Sequence, residues 1–316
     1  MTNEAIVLLN MGGPNNLEEV ELFLKNMFAD KNILTMKSGV LRKFVGGMIV
    51  FTRTESSQEI YRQLGGKSPI VGHTKKLVEK LQERVEEGVV VDFAMRYTPP
   101  FATEVIKKLN TQDIDKIYLI PLYPHYSTTT TKSSLEDFEE QYHKLGGRAL
   151  LVERKHFFEN EKYNRAIIER IKESIDNAQY RDFDLIFSAH GLPKKIVDAG
   201  DVYEKHINRH VMILKEMLLR EGMDFHEIHL AYQSKVGRME WLTPSLEDKL
   251  KTVRNRGVLI FPIAFTIDNS ETDFELDTEY REIAQELGFK EYRVAKCPND
   301  SDLFVDALVE IYEKMK

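Results

Sequence analysis

Asp184-Leu185-Ile186-Phe187-Ser188-Ala189-His190-Gly191-Leu192-Pro193 is the stretch on which the reading of the fold turns. Residues 184–188 form a run of strand length, and Gly191-Leu192-Pro193 stops it. A strand without polar alternation is buried on both faces, as in a parallel sheet covered by helices. The same signal recurs at residues 5–9, 89–95, 117–122, 149–152, 227–231 and 258–262. Between these runs, residues 17–27, 75–86, 103–109, 135–145 and 163–175 repeat apolar side chains every three or four positions, the mark of amphipathic helices. The alternation predicts an α/β fold with parallel sheets. Seven or eight strands allow one large sheet or two smaller ones, and residues 160–181 form the best boundary between two halves.

Composition narrows the function classes. With 316 residues, 42% of them hydrophobic and 30% charged, the chain is long enough for two domains with separate cores. No apolar run approaches the roughly 20 residues of a membrane-spanning helix. Met1-Thr2-Asn3-Glu4 does not read as a signal peptide, so cytoplasmic residence is expected. One cysteine, Cys297, excludes an internal disulfide and a multi-cysteine metal cage, leaving His, Asp and Glu to handle any metal. A net charge of −7 argues against a nucleic-acid partner. Oligomeric state is not legible, and a monomer is the default expectation.

Two familiar glycine motifs fail on spacing. Gly12-Gly13 does not extend to a dinucleotide fingerprint, and Gly66-Lys67-Ser68 lacks the upstream glycine of a P-loop, where Tyr61 stands. His206 and His210 lie one helical turn apart without a third ligand nearby and read as a solvated helix face; His226 and His229 receive the same discount. Residues 28–63 interrupt the α/β rhythm with apolar side chains mixed with Lys and Arg. Two readings stand: an extra helical pair packed on the core, or a greasy lip over a flat apolar ligand or touching a membrane surface.

Three clusters carry chemistry. His190 follows a strand end, where α/β sheets meet ligands, although a loop histidine is commonly structural. After the run at 258–262, Asp268, Glu271, Glu275 and Glu279 are spaced three, four and four apart, which places them on one helix face. Such a stripe is either a solvated face or a carboxylate ladder that passes cations or protons. Arg96-Tyr97 and Tyr123-Pro124-His125-Tyr126 end two more strands. Thr128 to Ser133 then open a helix, with Ser133 and Glu136 at capping-box spacing, a start that can hold a carboxylate or merely cap itself. Trp241, the only tryptophan, is core or the wall of a flat pocket.

Taken together these segments resemble the ferrochelatase family. The matching stretches are Leu9-Asn10-Met11-Gly12-Gly13-Pro14, Leu64-Gly65-Gly66-Lys67-Ser68-Pro69, Met95-Arg96-Tyr97, residues 123–127, 187–193, Gln233-Ser234-Lys235-Val236-Gly237 and 262–280, in family order. The resemblance implies two flavodoxin-like (Rossmann-like) parallel-sheet halves of the class II chelatase type facing a central cleft. The halves would be residues 1–156 with 300–316, carrying the lip at about 28–63, and residues 157–299, carrying His190 and the acidic helix.

The implied activity is that of a lyase inserting Fe2+ into protoporphyrin IX to form heme b, the terminal step of heme biosynthesis. His190 and Glu271 would be the catalytic and metal-contacting pair, and Asp268, Glu275 and Glu279 the acidic path. Met11, Arg96, Tyr97, Tyr126 and Trp241 would contact the porphyrin. Ferrous iron would be substrate, with no tightly bound cofactor and no iron–sulfur cluster, and the lip could touch a membrane peripherally. His190 would take the pyrrole protons, its ordinary pKa of roughly 6.5 suiting transfer near neutrality. A coproporphyrin or other tetrapyrrole chelatase, and a non-catalytic heme carrier, are the alternatives. Asn269 stands where many relatives carry histidine, and Val202 and Arg238 where proline is common.

Overall fold

A computed structural model describes residues 3–316 apart from 37, 236, 238 and 254–256. Val236 and Arg238, named above, lie outside the described residues. The chain divides into two units, Met1–His156 with Leu308–Lys316, and Phe157–Ala307.

The first unit begins with β1 (Glu4–Asn10), buried at every position. Next come α1 (Glu19–Ala29), α2 (Gly39–Gln63), α3 (Ile70–Arg84), β2 (Val89–Met95), α4 (Ala102–Leu109), β3 (Lys116–Pro121), α5 (Ser133–Lys144) and β4 (Leu150–Glu153). All strand pairs are parallel, in the order β2-β1-β3-β4. Ala5, Val7 and Leu9 point to one face of the sheet and pack with Ile106 and Leu109 of α4 and Leu135 and Phe138 of α5.

The second unit repeats the plan with α6 (Glu161–Ile175), β5 (Phe183–His190), α7 (Lys194–Asp198), α8 (Tyr203–Arg220), β6 (Ile228–Gln233), α9 (Leu246–Thr252), β7 (Gly257–Pro262), α10 (Tyr280–Glu286), β8 (Glu291–Val294) and the first half of α11 (Asp302–Glu313), whose residues from Leu308 on belong to the first unit. Its order is β6-β5-β7-β8, again all parallel. The expected α/β architecture is thus two four-stranded sheets, each with its lead strand in an interior position. The chain leaves that lead strand toward one neighbour and later returns to the other, so the strand ends form a switch point where such sheets meet ligands.

Helix α2 combines both readings of the 28–63 segment. On one side, Val50 and Tyr61 join Val20, Phe23, Leu24 and Tyr97 in a buried cluster. Gly46 permits the close approach, because a Cβ there would sit 3.0 Å from the Phe28 carbonyl oxygen. On the other side, Val40, Leu41, Phe44, Met48 and Phe51 stand exposed, Phe51 at 88%. Each phenylalanine left in water forgoes about 2 kcal/mol of burial. The failed glycine motifs prove to be one structural junction, in which the Ser68 N–H donates to the Pro14 carbonyl at 2.8 Å.

His210 corrects an expectation. It faces the core of the second unit with no exposed surface. Its Nε2 pairs with Asn164 Oδ1 at 2.7 Å, and burial pulls its pKa down to about 3. The helical repeat of α8 puts it on the same stripe as Ile207 and Leu214. His226 is partnered as well, with Nδ1 2.7 Å from Asp184 Oδ1.

Candidate active site

In the second unit, β5 carries His190 as its last residue, in parallel register with Gln233 of β6. The Tyr203 hydroxyl donates to the His190 carbonyl at 3.0 Å and ties the strand end to α8. Gly191 follows because no larger residue fits. A Cβ there would lie 2.8 Å from the Gln233 carbonyl oxygen and 3.3 Å from the Trp241 ring. Trp241 is therefore fixed beside the histidine loop, its backbone bridged to Pro193. Phe265 meets the His190 ring edge-on at 6.5 Å.

The acid row opens later than its spacing suggests. Asp268 lies in the loop before the helix, buried, where it accepts from the Cys297 N–H at 2.9 Å and from Asn299 Nδ2 at 2.8 Å. It thus leaves the predicted face, since a short acidic side chain can capture backbone N–H groups outside a helix. Asn269 fixes the helix start: its Oδ1 accepts the Glu271 N–H at 2.8 Å, and its Nδ2 donates to the Ile267 carbonyl at 3.1 Å. Glu271–Glu279 then winds as a π-helix rather than the expected α-helix, a form concentrated at functional sites. Four-residue steps keep neighbours on one face at either pitch, so Glu271, Glu275 and Glu279 still share a side.

Imidazole and acids meet through hydrogen bonds. His190 Nδ1 lies 2.8 Å from Glu271 Oε2. The Ser234 hydroxyl lies 2.6 Å from Glu275 Oε2 and 3.3 Å from Glu271 Oε2, bridging the two carboxylates. Gln233 Nε2 donates to Glu275 at 3.3 Å while its Oε1 accepts from the Ser188 hydroxyl at 2.7 Å. Ser234 holds φ at +65°, a left-handed conformation that costs a non-glycine residue about 1 kcal/mol or more. Turned that way, it reaches both acids. The opposite face of the π-helix is neutralised, with Asp273 on Lys296 at 2.9 Å and Asp277 on Arg281.

These contacts set the protonation states. Burial alone would lower the His190 pKa, but the carboxylates of Glu271 and then Glu275 outweigh it and hold the imidazole up to about 9. The resting pair is thus an imidazolium on a carboxylate rather than the neutral base expected from an ordinary histidine. Glu275 moves the other way from a typical acid: burial and the Glu271 charge push it up to about 7. Glu279 is also raised, by burial first and Glu282 second. The acid row runs from half-buried Glu271 and Glu275 to exposed Glu279, and Glu275 within it exchanges its proton near neutrality. Among the described residues, no set of three or more His, Cys, Asp or Glu side chains converges as a metal cage.

The first unit holds a separate cluster. Met11, just past β1, packs against the apolar group around Tyr97, and the Tyr97 N–H donates to its carbonyl at 3.0 Å. Arg96 stacks on the Tyr97 ring at 5.1 Å and donates from Nε to the Ser133 hydroxyl at 3.0 Å. Burial first, and Asp30 second, push the Tyr97 phenol up, so it remains a donor. Tyr126 is half-buried in the loop after β3. The capping-box reading of Ser133 and Glu136 is corrected. Ser127 supplies the cap by accepting from the Thr129 N–H at 3.2 Å, Thr128–Lys132 winds as a π-helical turn, and Ser133 turns to Asp30. The carboxylate held at this helix start belongs to the protein itself.

Two parallel sheets with ligand-ready strand ends define the class II chelatase fold. SirB from Bacillus subtilis, solved with Fe3+, aligns at a TM-score of 0.59 and 12% identity, covering 100% of this chain and 96% of that one. CbiX, described as the terminal enzyme for siroheme biosynthesis in denitrifying bacteria, aligns at 0.53 and 10% identity, covering 99% of each. The family model for Ferrochelatase matches residues 3–316. The ferrochelatase of Sulfurimonas denitrificans is 68% identical over 316 residues, 100% of both chains. That of a Nitratiruptor species is 54% identical over 312 residues, 99% of this chain and 100% of its own. The chain belongs to the ferrochelatase family, lyases of heme biosynthesis that insert iron into a porphyrin.

Proposed function

We propose that this ferrochelatase charges protoporphyrin IX with Fe2+ to give heme b, with His190 as proton acceptor and Glu271 as the carboxylate that guides metal or protons. Met11, Arg96, Tyr97, Tyr126 and Trp241 would contact the porphyrin. The observation that carries the reading is the 2.8 Å pair of His190 and Glu271, joined through Ser234 to Glu275. Insertion expels two pyrrole protons as the dication enters, so the site must draw in one doubly charged cation while carrying two protons away. A cation nearing Glu271 offsets the charge that keeps His190 protonated, and the imidazole then gives up its proton and becomes a base. The base is released by arrival of the metal. Two protein ligands leave the rest of the iron shell to water and the ring nitrogens. Glu275 and exposed Glu279 supply an outward step for protons. Apolar Met11 supports a ring with few carboxylates.

An anaerobic assay tests this directly. Protoporphyrin fluorescence should decay when Fe2+ is added to the enzyme, faster than that of coproporphyrin or sirohydrochlorin. His190→Ala should bind porphyrin but not insert iron. Near-normal insertion by that variant overturns the assignment, and faster turnover of coproporphyrin overturns the substrate. Fluorescence that never decays would instead indicate a carrier.

The exposed apolar stripe of α2 supports peripheral contact with an anionic lipid surface. Beside it lies a groove of about 550 Å³ lined by Phe28, Val50 and Phe51 together with Lys25 and Lys43. Apolar side chains flanked by cations are the pattern of an interfacial helix. No helix among the described residues is long and apolar enough to cross a membrane, and we place the enzyme's action on the cytoplasmic side. The protein should sediment with phosphatidylglycerol vesicles and Phe51→Asp should not; equal sedimentation of both sinks the idea.

A further inference from the structure

We infer that Asp30 is a positioning residue for the porphyrin, acting by holding the Arg96 guanidinium and the Tyr97 hydroxyl in one fixed arrangement with Ser133. The inference rests on the reading that Arg96 and Tyr97 touch the porphyrin. Asp30 ends α1, with its N–H on the Met27 carbonyl, and only 1% of its side chain is exposed. Its Oδ2 accepts from the Tyr97 hydroxyl at 2.9 Å, from Arg96 Nη2 at 3.3 Å and from the Ser133 hydroxyl. Its Oδ1 accepts from the Asn32 N–H at 2.8 Å. The three Oδ2 donors lie 66, 67 and 103 residues away in sequence, so one carboxylate ties the end of α1 to the end of β2 and the start of α5.

A carboxylate this deeply buried persists only when its acceptor sites are filled and its charge is matched. That requirement runs both ways. Arg96 has a second carboxylate within reach, the more open Asp137, with Nη1 3.5 Å from Oδ1. With Asp30 ionised, the guanidinium is held between the two acids and braced through Nε by Ser133. Without that charge, Asp137 becomes its one anionic partner among the described residues, and the guanidinium swings toward it and away from Tyr97. Asn32, two residues further on, braces the same joint, since its Nδ2 donates to Glu136 of α5 at 3.0 Å. Asp30 need not contact the porphyrin at all.

The test is a double-mutant cycle in the full-length enzyme, read by protoporphyrin binding and by steady-state kinetics. Asp30→Asn keeps the shape and removes the charge. It should weaken porphyrin binding about tenfold, the scale of one misplaced charge-assisted hydrogen bond, and raise KM for porphyrin with kcat within about twofold. In an Arg96→Ala background the same substitution should add much less, since only its hold on Tyr97 is left to lose. Ser133→Ala, which leaves the buried charge pair intact, should show a smaller effect that shrinks likewise in Arg96→Ala. It serves as the measurement if Asp30→Asn does not fold. Additive losses in the cycle overturn the Asp30 proposal alone. Unchanged porphyrin affinity in Arg96→Ala overturns the reading of Arg96 and the proposal with it.

Discussion

The two units solve one topological problem with opposite charges. In each, the second strand ends beside a π-helical segment that follows the third strand. In the first unit, the residue after β2 is Arg96, and the segment Thr128–Lys132 carries hydroxyls and a lysine. In the second, the residue after β6 is Ser234, and the segment Glu271–Glu279 carries the acid row. Arg96 meets Ser133 just past the first segment, whereas Ser234 meets Glu271 and Glu275 within the second. The lead strands differ likewise, with Met11 following β1 and His190 ending β5. The fold supplies the position, and the side chain supplies the chemistry.

The sharpest way to break this contrast is to neutralise one acid. Glu271→Gln keeps the shape of the second unit but removes the charge that holds the His190 proton. Iron insertion should fall about 100-fold or more in a variant that still folds. A loss of less than twofold would mean that the charge is incidental. Ser234→Ala should do less, lowering kcat about tenfold. Its hydroxyl stabilises ionised Glu275, so its removal should also move the acid limb of the pH–rate profile to higher pH. A profile that stays in place separates Ser234 from the acids.

The smallest effect is on stability. The folded state raises the His190 pKa from 6.5 to about 9. Stability from that pairing is therefore complete below the unfolded value and is lost as pH climbs through the folded one. With 38% of the side chain exposed, water screens part of it. Comparison of melting temperatures between about pH 6.5 and 9 should show the native protein losing an advantage over His190→Ala as pH rises. A constant difference would mean that the imidazole is not held charged.

Much of this architecture was legible in sequence because buried parallel strands leave near-continuous apolar runs. His190 was legible as well, since a histidine between such a run and Gly-Leu-Pro has few places to go. Ser234 was not, because nothing in its neighbours announces a positive φ. Asp30 was not, because its partners come from three distant segments. Asp268 misled for the opposite reason: its spacing matched the helix, but its hydrogen bonds to residues 297–299 placed it outside. His210 misled because a histidine pair at helical spacing looks the same whether it faces water or core. Asn269, doubtful by comparison with relatives, holds the backbone of Glu271 instead.

Helix α11 begins in the second unit and finishes in the first. There the Tyr312 hydroxyl joins Glu4, which also accepts from Tyr118 at 3.2 Å, and the two tyrosine rings meet edge-on at 5.0 Å. The opening strand therefore waits for residue 312. A nascent chain cannot finish the half it makes first until nearly all of this sequence has left the ribosome, so the order of synthesis is not the order of folding.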